Sequence, residues 1–305
     1  MDPDITYTLN AKYKDGALNE LYKRVVTKSV VIDSRFRDNY NNNASSSFIV
    51  SLSTPINDIM EIDVAQLEIP KAWYAVSNSL GNNFFYVKTA SDTYCIQIPD
   101  GNYNAARMQV EIQKQLTSLG TSLTIQIDVD PDCESGTNRT VFYSSGSTII
   151  NFNLYKDAPT NIDPTPLPLR LGWMLGFRQG SYSLNSTPPK GLISEGLFDA
   201  YGPRSIYLAI EDYNHNQMNE TFVPLNNSLI NKNILARYVV SNNSDNPNGQ
   251  DNTYYNKLVS FTRQYTGPVN INKLKIQLLD EYGRIINMNN MDFSFVLTFK
   301  GIYIR

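Results

Sequence analysis

Few side chains in this 305-residue sequence are of the types that start most hydrolytic or metal chemistry. They are His215, the one histidine, and the two cysteines, Cys95 and Cys133. A Ser-His-Asp or Cys-His relay would have to run through His215. That residue sits in Asp212-Tyr213-Asn214-His215-Asn216, which reads as a polar loop with a solvated imidazole. Two cysteines make no disulfide framework, and with His215 they still lack a fourth zinc ligand. Asp128, Asp130, Asp132 and Glu134 form the densest acidic cluster. Their spacing matches the first ligands of an EF-hand loop, but Cys133 stands where that loop needs Gly and Arg139 where it needs Glu. A solvated strand end is the expected reading. Arg35 and Arg37 flank Phe36, which could make a basic strand face for phosphate; an ion pair with Asp33 or Asp38 is the simpler expectation. Glycoside cleavage needs two convergent carboxylates, and nothing selects a pair among the 29 acids. The phosphate-loop, dinucleotide, zinc-protease and nucleophile-elbow patterns are all missing from the sequence. No catalytic, cofactor-binding or metal residue is therefore named, and no cofactor is expected.

Composition agrees with that. Hydrophobic residues make up 41% and charged residues 18%, and much of the remainder is asparagine, at about 35 residues. Tyrosine is also abundant, at 20. A net charge of −3 offers no general basic face for nucleic acid. The sequence holds no run of apolar residues long enough for a membrane-spanning helix. The opening Met1-Asp2-Pro3-Asp4 does not read as a signal peptide.

The elements that would position any site are short strands. Residues 1–24 are mixed and nearly neutral, and they read as an N-terminal arm ahead of one β domain over 25–305. Val25–Ile32 is almost wholly β-branched. Phe48–Leu52 and Ile59–Ile69 read as two further strands, and Phe84–Val87 with Tyr94–Ile98 as a hairpin. Leu123–Asp130 alternates strictly. Thr140–Tyr143 and Thr148–Leu154 read as a hairpin around Ser144-Ser145-Gly146. Asp157–Leu169 and Gln179–Gly202 read as long loops, with the apolar turn Leu171–Phe177 between them. Ser205–Glu211, Ile234–Val240, Leu258–Phe261 and Leu274–Leu278 are further strands. Phe293, Phe295, Leu297 and Phe299 share one strand face, and the change of parity beyond them predicts a β-bulge at or beside Gly301. One amphipathic helix is predicted over about 103–119. Ala105, Met108, Ile112, Leu116 and Leu119 line one face, Asn102 or Asn104 caps it, and Gly120 ends it. With no βαβ alternation, the expected class is all-β: an antiparallel β-sandwich, a single jelly roll with long loop insertions and that one helix. Long polar, aromatic-bearing loops on such a core suit contact with other proteins.

Four segments carry a resemblance. They are Val31-Ile32-Asp33-Ser34-Arg35-Phe36-Arg37-Asp38-Asn39, Ile98-Pro99-Asp100-Gly101-Asn102-Tyr103, Leu171-Gly172-Trp173-Met174-Leu175-Gly176-Phe177-Arg178, and Tyr265-Thr266-Gly267-Pro268-Val269 on through Leu278-Leu279-Asp280-Glu281-Tyr282-Gly283-Arg284. In this order they resemble capsid structural proteins of nucleocytoplasmic large DNA viruses, the giant-virus group. The resemblance implies a viral structural protein and not an enzyme. It would be a jelly-roll penton at the five-fold vertex or a minor capsid protein lining the shell. It implies the major capsid protein and other minor capsid proteins as partners, with a homo-pentamer in the penton case. It also implies a place in the virion, assembled in the host cell cytoplasm, without direct nucleic-acid contact. Trp73, Trp173 and Phe177 are candidate interface anchors, with burial in the core as the competing expectation for each. The alternative function from the residues is a carbohydrate- or receptor-binding β-sandwich of the fibre-head kind. A β-sandwich glycosidase or lyase is a third.

Overall fold

The computed structural model describes residues 24–128, 136–184, 191–218, 233–240 and 258–303. These fall into two compact units. One draws on the chain up to Trp73 and again from Pro203 onward; the other is Tyr74–Gly202. Arg24, the last residue of the expected arm, opens the first strand, and the rest of the arm lies outside the described residues.

In chain order the first unit begins with β1 (Arg24–Asp33) and β2 (Ser47–Glu68). The second holds β3 (Phe84–Lys88), β4 (Thr93–Gln97), β5 (Leu123–Ile127), β6 (Thr140–Ser144), β7 (Thr148–Asn151), β8 (Leu154–Tyr155), β9 (Ala158–Ile162), β10 (Ser181–Leu184) and β11 (Leu192–Ile193). The chain then returns to the first unit with β12 (Ser205–Glu211), β13 (Ile234–Val239), β14 (Leu258–Ser260), β15 (Arg263–Leu279) and β16 (Ser294–Tyr303). Every named strand pair is antiparallel. The all-β antiparallel class expected from the sequence is what the structure shows.

The first unit is a seven-stranded sheet in the order β1-β16-β2-β15-β12-β13-β14. Its core takes one face of each long strand, including Ile62 and Val64 of β2, Leu274, Ile276 and Leu278 of β15, and Phe295, Leu297 and Phe299 of β16. Phe48–Leu52 and Ile59–Ile69, expected as two strands, are one 22-residue strand. Pro55 sits inside it, exposed, where the pairing with β15 slips between Ile271 and Lys273, so its missing N–H interrupts no regular ladder. The expected bulge beside Gly301 is present, but the extra residue is on β2. Lys300 faces Glu61 and Gly301 faces Ile59, which leaves Met60 without a partner. Gly301 keeps the inward position, and a Cβ there would lie 2.9 Å from the Asp58 carbonyl oxygen.

In the second unit the sheet orders are β10-β7-β3-β4, β11-β6-β5 and the pair β8-β9. Strands β6 and β7, expected as a hairpin, do not pair; they lie in different sheets. Between them the chain turns a corner fastened by a 2.8 Å hydrogen bond between the Ser144 and Thr148 hydroxyls, so the expected turn is present but does not join paired strands. Of the two stretches expected as loops, Asp157–Leu169 carries β9, which pairs with β8 just before it, and Gln179–Gly202 carries β10 and β11. Strand β9 is almost wholly exposed, so burial gave it no alternating pattern to read.

The predicted helix is α1 (Ala105–Ser118). The Asn104 side chain caps it, accepting from the Arg107 N–H at 2.9 Å, while Asn102 is used elsewhere, accepting from Ala75 N–H. Met108, Ile112 and Leu116 are fully buried, and Gly120 leaves the helix at φ +65°. Leu119, expected on the buried stripe, is exposed at the C-cap. Gln109 and Gln113, one turn apart, accept from the N–H groups of Ile127 (2.8 Å) and Ile125 (3.0 Å). The helix thereby satisfies the open edge of β5 as well as covering its apolar face.

Candidate interaction surfaces

Among the described residues, those weighed for chemistry are not drawn together into one site. His215 is exposed in its loop. That loop is ordered by Asp212, whose carboxylate takes the Asn214 N–H (3.0 Å), the Arg263 guanidinium (3.0 Å) and the Tyr265 hydroxyl. Asp212 and Arg263 are both buried, and burial together with the Asp212 charge raises the Tyr265 phenol far above its usual range. Of the acidic cluster, Asp128 turns at φ +69° and accepts from the Asn138 N–H at 2.7 Å. Asp130, Asp132 and Glu134, and also Cys133, lie outside the described residues. No group of three or more potential metal ligands occurs among the described residues, and no helix there is long and apolar enough to cross a membrane.

Two of the resembling segments instead present large apolar side chains on pinned frames. The first follows β1. Asp33 takes Arg35 in a two-pronged ion pair (2.5 Å at the shortest), as expected, and the arginine holds the carboxyl below its usual range. Arg37 pairs with neither Asp33 nor Asp38. Its buried guanidinium donates to Asp292 (2.6 Å) and to the carbonyls of Ser34 (2.6 Å), Asn43 (2.8 Å) and Tyr40 (3.2 Å), and it stacks on the Tyr40 ring at 4.0 Å. Asp292 also accepts from Ser34 Oγ (2.7 Å) and Tyr40 OH (3.0 Å). Burial pushes its carboxyl up, and these hydrogen bonds with the Arg37 charge outweigh that, leaving it below the ordinary value. Phe36, between the two arginines, is 84% exposed, and Val31 on the preceding strand is 72% exposed. Strand β1 is the terminal strand of its sheet among the described residues.

The second surface belongs to the other unit. Leu171–Met174 forms a one-turn helix, α2. Leu171, Leu175 and Phe177 are buried, and Phe177 stacks with Phe142 and Phe152. Gly172 and Gly176 allow this closeness: a Cβ would lie 2.4 Å from the Phe152 ring at the first, and 2.3 Å from the Gly196 carbonyl oxygen at the second, where φ is +93°. The three candidate anchors therefore divide. Trp73 and Phe177 are core, while Trp173 is 36% exposed, with the Arg178 guanidinium 4.0 Å over its ring and donating to its carbonyl at 3.0 Å. Arg178 N–H in turn meets Tyr182 OH and Glu195. Phe36 was not among the sequence candidates.

No family model and no curated protein matches this sequence. Among solved structures, its chain course is similar to that of the mavirus penton protein, with a TM-score of 0.43 and 9% identity over 92% of this chain and 100% of that one. It is also similar to a chain in the cryo-electron microscopy structure of the Sputnik virophage, with a TM-score of 0.35 and 12% identity over 91% of this chain and 98% of that one.

Proposed function

We propose that this chain is a capsid structural protein that works by assembly: a penton or minor capsid protein in contact with the major capsid protein, carried in the virion and put together in the host cytoplasm. The four resembling segments support this reading. The observation that carries it is the placement of Phe36 and Trp173: two of those segments hold an exposed ring on a frame fixed by arginine hydrogen bonds. A pinned aromatic loses little freedom when a neighbour covers it, which suits an interface anchor. A stable contact needs about 1,200–2,000 Å² in total, so the anchors would be centres of larger patches. At a five-fold vertex the same patches would close a ring through heterologous contacts.

Co-expression with the major capsid protein of the same virus tests this. Phe36→Ser and Trp173→Ser should each cut incorporation into particles about tenfold, the equivalent of roughly 1.4 kcal/mol, with thermal melting of the free Phe36→Ser chain unchanged. Full incorporation of both variants, or exclusion of the unaltered chain from particles, would refute the proposal.

A further inference from the structure

One sheet edge in the first unit stands open. Strand β1 is terminal in its sheet among the described residues, and its pairing with β16 runs unbroken from Arg24 opposite Tyr303 to Asp33 opposite Ser294. It contains neither a proline nor a bulge, two devices that keep such an edge from pairing. The opposite terminal strand, β14, has only three residues, and in the second unit the edge of β5 is taken by Gln109 and Gln113. Just past the end of β1, the Ser34 N–H bonds the Phe293 carbonyl at 2.9 Å. Bonds in an antiparallel ladder alternate along the strand, so the even-numbered residues of β1 bond to β16. The N–H and C=O groups of Val25, Thr27, Ser29 and Val31 therefore point to the free side, where no described strand lies. The core also stops short at this edge. Val26 and Val30 are half-buried and Lys28 between them is exposed, on the face where Ile32 is fully buried.

What completes such an edge is an extended segment of alternating pattern. Its apolar row would cover Val26 and Val30, and its polar row would lie beside Thr27 and Ser29. Ile5-Thr6-Tyr7-Thr8-Leu9 has that pattern, and no other stretch outside the described residues does. Residues 10–23 join it to β1. Extended, they span about 46 Å, against roughly 33 Å for β1 itself, so the segment can fold back antiparallel along the edge. We propose that Ile5–Leu9 adds to β1 of its own chain as an antiparallel strand, with Ile5, Tyr7 and Leu9 on the face of Val26, Lys28 and Val30. The tyrosine ring then covers the lysine stem, and the backbone of Thr6 and Thr8 bonds the free groups of β1. The β1 strand of a second copy is a poorer occupant, because antiparallel self-pairing about the middle of the strand brings two Lys28 side chains together. The arm thereby closes an edge that otherwise templates pairing with other chains. The proposal does not depend on the capsid reading.

Residue-resolved amide hydrogen exchange on the full chain, at concentrations on both sides of any dimerisation, tests this. The amides of Thr27 and Ser29 should be protected in the monomer. Thr6→Pro removes a donor from the added strand, and Tyr7→Ser removes its central apolar side chain. Each should speed exchange at Thr27 and Ser29 about tenfold, while the amides of Lys28 and Val30, held by β16, keep the parent's rate. Unprotected Thr27 and Ser29 amides in the parent would overturn the proposal, as would protection that survives both variants. Protection seen only in a dimer would also overturn it, since a second copy would then be the occupant.

Discussion

Arg35 and Arg37 flank one aromatic ring, yet the first stands in water beside Asp33 while the second is buried against Asp292, 255 residues further along the chain. Burial makes the second pair consequential, because removing either partner leaves a charge in a poorly solvated place. The same holds for Asp212 with Arg263 and Tyr265. Asp212→Ala should lower unfolding free energy by about 3–5 kcal/mol in urea titrations, whereas Arg35→Ala should leave it nearly unchanged. Asp292 also sets a pH dependence. Its folded pKa lies below the unfolded value of about 3.9, so its contribution is present above that value and is lost as pH falls through the folded pKa. Melting temperature should therefore drop with acidification below about pH 4, and Asp292→Asn should flatten that part of the curve while starting from a lower stability.

At the scale of elements, alternation and helical spacing were readable wherever one face is buried. Strand β5 shows strict in-out alternation, β16 buries its phenylalanines on one face, and α1 buries Met108, Ile112 and Leu116 of the predicted stripe. What a strand pairs with was not readable, since a period of two is local and pairing is not. That is why β6 and β7 were expected together, and why β2 was expected as two pieces around Pro55. The glutamines of α1 were equally hidden: Gln109 and Gln113 look like solvent-face residues until β5 is placed beside them. Replacing both by Leu should leave the Ile125 and Ile127 amides without acceptors, at about 1–3 kcal/mol each. Hydrogen exchange at those two amides should accelerate far more than at the buried helix positions. Gly176→Ala should be as damaging, because it meets both a left-handed φ and a carbonyl 2.3 Å away. A melting temperature equal to the parent's would contradict that placement.

For the whole molecule, the interaction surface was legible in the sequence only in part. Trp173, Trp73 and Phe177 were equal candidates in the sequence and divide only with the core in view. Phe36 gave no signal, since its exposure follows from the burial of Arg37 against a distant aspartate. Under the proposed capsid role, this β framework holds out Phe36 and Trp173 for neighbouring subunits to cover. A density map of the intact particle tests it most directly. This chain should lie within the shell, with Phe36 and Trp173 buried against adjacent subunits. A particle map without the chain, or with both rings facing solvent, would contradict it.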